Sequence, residues 1–173
     1  MHPTSRKGFT LIELLIVIAV IAILAAVAFV ALDPLQRFQD ARDSARVTDA
    51  TAILSAIKID QVDNGGSYVT AVDSAATGTV YMITTGQSNG CDDNNAQCDT
   101  NATNDTACVD LSALVTEGYL AEIPQSPDGS GTWDDGSADG EEGTGYTMQK
   151  SDNGSLTIRA CESENTTEIS VTR

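Results

Sequence analysis

Histidine is nearly missing from this 173-residue chain, the single one being His2. Beyond His2, which lies in the short segment ahead of the apolar run, the chain lacks the commonest general acid–base and a frequent zinc ligand. No Gly-x-Ser-x-Gly, phosphate loop or dinucleotide fingerprint is present either. Acid pairs such as Asp134-Asp135 and Glu141-Glu142 lie in a Gly-rich stretch with no sign of burial to shift a carboxyl pKa. These absences point away from an enzyme. Bases are scarce as well: nine Lys and Arg stand against 25 Asp and Glu, a formal charge of −16. From Asp60 onward there are 20 acids and only Lys150, Arg159 and Arg173, a net −17. Nucleic-acid binding needs clustered Lys and Arg, so that partner is excluded, and an acidic exposed surface is left. Aromatics are 5% of the chain, and Tyr68, Trp133 and Tyr146 are read as core residues.

Cysteine is absent until Cys91, then comes as Cys91, Cys98, Cys108 and Cys161. The number is even, with no Cys-x-x-Cys and no nearby His. That favours disulfides outside the cytoplasm over a zinc site. Three connectivities are open. The expected one joins Cys91 to Cys98, closing a short loop, and Cys108 to Cys161, tying a C-terminal strand to the segment before a short helix.

What the chain has in abundance lies at its start. Between Leu14 and Leu32 there is no charge, no Gly and no Pro. Nineteen residues at ~1.5 Å each make about 28 Å of helix, close to the ~30 Å hydrocarbon core of a bilayer. A secretory signal has a shorter apolar stretch with a small-residue cut after it. Here the plausible cut lies before the apolar stretch, which would therefore stay with the mature protein. Glu13 sits immediately before that stretch, close to the start of the longer apolar run that follows Gly8. A carboxylate in a bilayer costs about 2.5–3.5 kcal/mol on insertion scales and usually faces a partner. A new N-terminus created just ahead of the apolar stretch would offer one, about a helical turn away. Positive-inside counting sets Arg6 and Lys7 against Arg37, Arg42 and Arg46 and does not fix the orientation. The cysteines do, by placing the distal region outside.

Arg6-Lys7-Gly8, Phe9-Thr10-Leu11-Ile12-Glu13 and the apolar run closely resemble the class III leader and N-terminal helix of type IV prepilins and pseudopilins. Leu111 to Pro127, with Gly118-Tyr119-Leu120 and Ile123-Pro124, resembles the start of the variable region in the same proteins. The resemblance implies an α+β fold, a long N-terminal helix packed on a small antiparallel sheet. It implies cleavage after Gly8 by a prepilin peptidase and methylation of Phe9. It also implies pairing of Glu13 with a neighbouring subunit's Phe9, and a homo-oligomeric filament built on an inner-membrane assembly platform. The precursor would be a single-pass membrane protein with its N-terminus inside. The mature chain would sit in an extracellular pilus serving adhesion, motility or DNA uptake. A type II secretion pseudopilin is the nearest rival, and a monomeric membrane-anchored binding protein a more distant one. Major pseudopilins often bind calcium in a loop between their final strands. Asp135-x-Ser137-x-Asp139-Gly140 has oxygen ligands at alternate positions there, although Tyr146 stands where an EF-hand would have Glu.

The sequence divides into a leader (1–8), an assembly helix (9–33), an amphipathic helix (34–64) and a head (65–173). Asp33-Pro34 reads as a cap and first residue of a new helical segment. Leu35, Phe38, Ala45, Ala52, Ile53, Ala56 and Ile57 suggest its buried stripe, with Arg37–Asp40, Asp43–Arg46 and Arg46–Asp49 pairs on the outer face. Asn64-Gly65-Gly66 reads as its stop. Strands are expected at 79–84, 146–149, 155–161 and 169–172, with Asn153-Gly154 turning a hairpin and a short helix over 110–118.

The mature chain is expected to begin at Phe9. Intact-mass measurement of membrane or surface material should find residues 1–8 gone and the apolar helix retained; a product that keeps Met1 overturns the cut.

Overall fold

Leu, Ile, Val and Ala in sequence, with Thr at the head, give a helix a start and nothing to stop it before Asp33. In the computed structural model, which describes residues 8–127 and 143–173, this run forms α1, Leu11–Leu32. Asp33 turns left-handed, at φ 35°, and α2, Pro34–Asp63, follows at once. Pro34 sacrifices no helical bond there, because first-turn N–H groups have no partner within a helix. Asp33 caps the new segment: its Oδ1 accepts from Gln36 N at 3.5 Å, and its carbonyl from Arg37 N at 3.4 Å. At the far end Gly65 and Gly66 take φ values of 67° and 107°, and Gly66 N satisfies the Gln61 carbonyl at 2.8 Å.

The chain forms two compact units, one ending at Phe38 and one running from Gln39 to Arg173. In the first, no side chain of α1 is buried. The second holds a five-stranded sheet: β1 (Val80–Thr84), β2 (Cys108–Asp110), β3 (Tyr146–Lys150), β4 (Leu156–Ala160) and β5 (Ser170–Thr172). Its order is β2-β1-β3-β4-β5. The α+β class is as expected, with a mixed sheet in place of a wholly antiparallel one: β1 and β2 are parallel, and the remaining pairs antiparallel. Parallel neighbours need a long crossover, and residues 85–107 supply it. Two short helices complete the head, α3 (Thr70–Asp73) and α4 (Ser112–Thr116). Asp110 ends β2 and accepts from Ser112 N at 2.8 Å, so the expected 110–118 helix is shorter than its sequence signal.

Strand alternation divides the sheet between two cores. Ile83, Tyr146, Met148, Leu156 and Ile158 point to one face, where Ile53, Leu54 and Ile57 of α2 meet them. Met82 points to the other, with Cys91, Ala102 and Cys161 against it. The buried stripe of α2 differs from the expected one. Ile53, Ala56 and Ile57 are in it, but Leu35 and Phe38 precede the head unit and are 65% and 64% exposed. Asp43 and Arg46 are buried instead of lying on the outer face. Apolar spacing misplaced the stripe because its first turn is polar and paired.

The disulfides also differ from the expected pairing. Cys91 joins Cys108 and Cys98 joins Cys161. The crossover loop doubles back: Cys91 N donates to Asp105 O at 3.0 Å, bringing Cys91 beside β2, and Asp99 N donates to Cys161 O at 2.6 Å, bringing Cys98 to the end of β4.

Peptide mapping without reduction should therefore recover Cys91 linked to Cys108 and Cys98 to Cys161; a Cys91–Cys98 fragment contradicts this fold. Ile57→Ala, which empties a fully buried site, should cost about 2–5 kcal/mol in denaturant unfolding.

Candidate functional site

At the N-terminus, local chemistry is tied up within four residues. Thr10 is the N-cap of α1, with extended backbone (φ −83°, ψ 152°). Its Oγ1 accepts from Glu13 N at 3.3 Å, while Glu13 Oε2 accepts from both Thr10 N and Thr10 Oγ1 at 2.8 Å. This capping box satisfies donors that a helix start leaves orphaned, and it holds the Glu13 carboxylate at the head of the apolar run. The Thr-x-x-Glu spacing was its sequence signal, and attention to the charge alone missed Thr10. Phe9, directly before the cap, is 89% exposed. A Cβ at Gly8 would meet nothing within 4 Å, so no packing inside the chain calls for glycine there. Apolar side chains cover every side of α1, from Leu11 to Leu32. A helix apolar all round is a helix for lipid or for neighbours.

The second constellation lies where α2 meets the chain after β4, and the sequence did not reveal it. Arg46 is fully buried. Its Nη1 donates to Asp43 Oδ1 and Glu164 Oε1, both at 2.8 Å, and its Nε to Ser126 Oγ at 3.1 Å. Nη2 reaches the Pro127 carbonyl at 2.9 Å and Glu162 Oε2 at 3.5 Å. Arg42 makes a two-pronged contact with Glu164, its Nε at 2.6 Å and its Nη2 on the second oxygen. Asp43 turns its other lone pairs to backbone, accepting from Glu164 N and Asn165 N. Three carboxylates and two guanidiniums thus clamp residues 162–165 onto two turns of helix. Arg42 and then Arg46 hold the Glu164 carboxyl well below the usual range, at about 2, against an opposing push from desolvation. One turn on, the Tyr146 hydroxyl donates to Asp49 Oδ2 at 2.7 Å. Burial, with that acceptor beside it, drives the phenol far above its ordinary pKa.

Asp92, Asp93 and Asp105 on the crossover loop present oxygens within 4.8 Å of one another, the one such grouping among the described residues. The calcium expectation at Asp135, Ser137 and Asp139, like Trp133, lies outside the described residues.

Residues 3–29 match the family model described as the prokaryotic N-terminal methylation motif. No curated protein and no solved structure matches the chain. The match spans Gly8, Phe9 and Glu13, ends at Phe29, and points to a structural protein with a membrane-anchored precursor. That motif supports a class III leader of the kind found in type IV pilins and pseudopilins, and such a leader implies processing by prepilin peptidase and assembly into pilus-like filaments.

A depressed carboxyl pKa adds stability above its unfolded value, near 4.3, and that stability is lost as pH falls toward the folded value. For Glu164 the window runs from about 4.5 down to about 2. Thermal melts of the detergent-solubilised chain across that range should show wild type losing its advantage over Glu164→Gln, which starts lower at pH 7. A gap between the two that stays constant with pH contradicts the ion pair. Arg46→Met, which strands buried carboxylates, should cost on the order of 3–5 kcal/mol at pH 7.

Proposed function

We propose that this chain is a structural subunit of a type IV pilus-like filament, cut after Gly8, methylated on Phe9 and assembled through α1. The observation that carries the reading is α1 itself: 22 residues without one buried side chain, preceded by a leader match and headed by a single carboxylate. Lipid covers that surface first, and copies of the same helix cover it later. Little hydrophobic gain comes from exchanging lipid for helix, so packing and polar contacts must set the register. Glu13 is suited to that role because its capping bonds use only local donors. A new Phe9 ammonium on a neighbour offers a full charge where Thr10 offers dipoles. Glycine at position 8, which the chain's own packing does not require, suits a peptidase pocket that tolerates no side chain.

The head is suited to an extracytoplasmic address, since both of its disulfides need an oxidising compartment. A contact repeated head to tail without closing on itself gives a helical filament. With a net −17 from Asp60 onward, heads repel one another, and α2 offers them an uncharged approach. Its exposed residues between positions 41 and 62 are Ala41, Ser44, Val47, Thr48, Ile59 and Val62.

Glu13→Ala tests the assembly role. Membrane insertion and leader removal should remain normal by fractionation and intact mass, while filaments counted by electron microscopy fall to few or none. Wild-type filament numbers in that variant overturn the role given to Glu13. Filaments shed into the medium favour the pilus, and filaments confined to the envelope favour a secretion pseudopilus.

A further inference from the structure

Segment 161–168 is held from two sides, and the two disulfides do not share the work. On one side stands α2, with Arg42, Asp43 and Arg46 gripping residues 162–165 and Asp40 Oδ1 accepting from Asn165 Nδ2 at 2.8 Å. On the other stands the crossover loop just past Cys98. Asp99 N donates to Cys161 O at 2.6 Å, Ser163 Oγ to Asp99 Oδ2 at 2.5 Å, and Thr100 Oγ1 to Glu168 Oε1 at 2.6 Å. The Cys98–Cys161 bond joins the two stretches covalently at the residue before Glu162. Cys91–Cys108 closes the loop on β2, and its Cys91 shares a small buried core with Cys161.

We propose that Cys98–Cys161 is a redox latch: its closure docks residues 162–165 against α2 and thereby completes the neutralisation of buried Arg46. In the dithiol form, the segment between β4 and β5 is free to leave. The guanidinium then keeps Asp43, Ser126 and Pro127 but loses Glu162 and Glu164, and a buried charge that loses carboxylate partners is strongly destabilising. Closing the latch forms one S–S bond. The two thiols give up two protons and two electrons, accepted by the disulfide of a thiol–disulfide oxidant that leaves as a dithiol. The head is thus completed only after the chain reaches an oxidising compartment, whatever it later assembles into. A reduced head stays open at the face where its ion cluster belongs.

Amide hydrogen exchange on the full-length mature protein in detergent micelles tests the latch, because Glu164 N and Asn165 N both donate to Asp43. In the double variant Cys98→Ala/Cys161→Ala, those two amides should exchange at least about tenfold faster, while Met148 and Ile158 in the central strands keep their protection. Cys91→Ala/Cys108→Ala should leave residues 164 and 165 protected. Stepwise reduction of the wild-type protein with a dithiol, starting from a native head, should reproduce the first pattern as Cys98–Cys161 opens. Unchanged protection at 164 and 165 overturns the latch. So does equal loss in both double variants, or loss across β3 and β4 together, which would make the bond a staple of the whole head.

Discussion

Arg46 must find partners, and much of the head is arranged so that it does. A buried guanidinium is costly to desolvate unless its N–H groups are met, and this one is met from three directions. Asp43 comes from its own helix, Ser126 and Pro127 from the segment after α4, and Glu162 and Glu164 from the stretch after β4. Parts of the chain more than 80 residues apart therefore converge on one side chain. The planar fork of the guanidinium accepts few geometries, so the cluster contributes direction as well as energy. A hydrophobic replacement for the whole group could be as stable, yet it would fix the rotation of α2 against the sheet less sharply.

Two further polar contacts of α2 act in the same sense. Asp49 takes the Tyr146 hydroxyl, and Asp60, fully buried, accepts Val69 N at 2.6 Å and Asn64 Nδ2 at 2.7 Å. Between them Ile53, Leu54 and Ile57 supply apolar burial. The helix is consequently held by greasy contacts in its middle and by carboxylates and a guanidinium at either end. Between positions 41 and 62 its exposed residues are spared these duties, and all of them are uncharged. The first unit follows the opposite rule. Its helix α1 buries nothing within the chain, and the one charge on α1, Glu13, is occupied by its own N-cap.

Much of this was legible before any coordinates. The Asp33-Pro34 break, the Gly65-Gly66 stop, strand β1, the Asn153-Gly154 hairpin and edge strand β5 depend on residues close in sequence, where backbone chemistry acts locally. The motif around Gly8, Phe9 and Glu13, which the family model matches, was equally plain, because a basic leader, a glycine, an acid and a membrane-length run seldom coincide. Asp43 and Arg46 show where such reading fails. A charged pair three apart on a helix is the usual mark of a solvated face, and nothing within that helix signals that Glu162 and Glu164 will come to meet it. The cysteines failed for a related reason. Pairing by nearness in sequence chose Cys98 for Cys91, whereas the crossover needed by a parallel β1–β2 pair carried Cys91 back to Cys108.

The sequence alone thus determined the anchor, its break, its carboxylate and the location of the acidity, since each follows from composition or from neighbours within a few residues. Only the tertiary structure decided which cysteines join, which face of α2 is buried and that a charge lies in the core. Those outcomes depend on distances between remote segments, and such distances exist only once the sheet has brought its strands together.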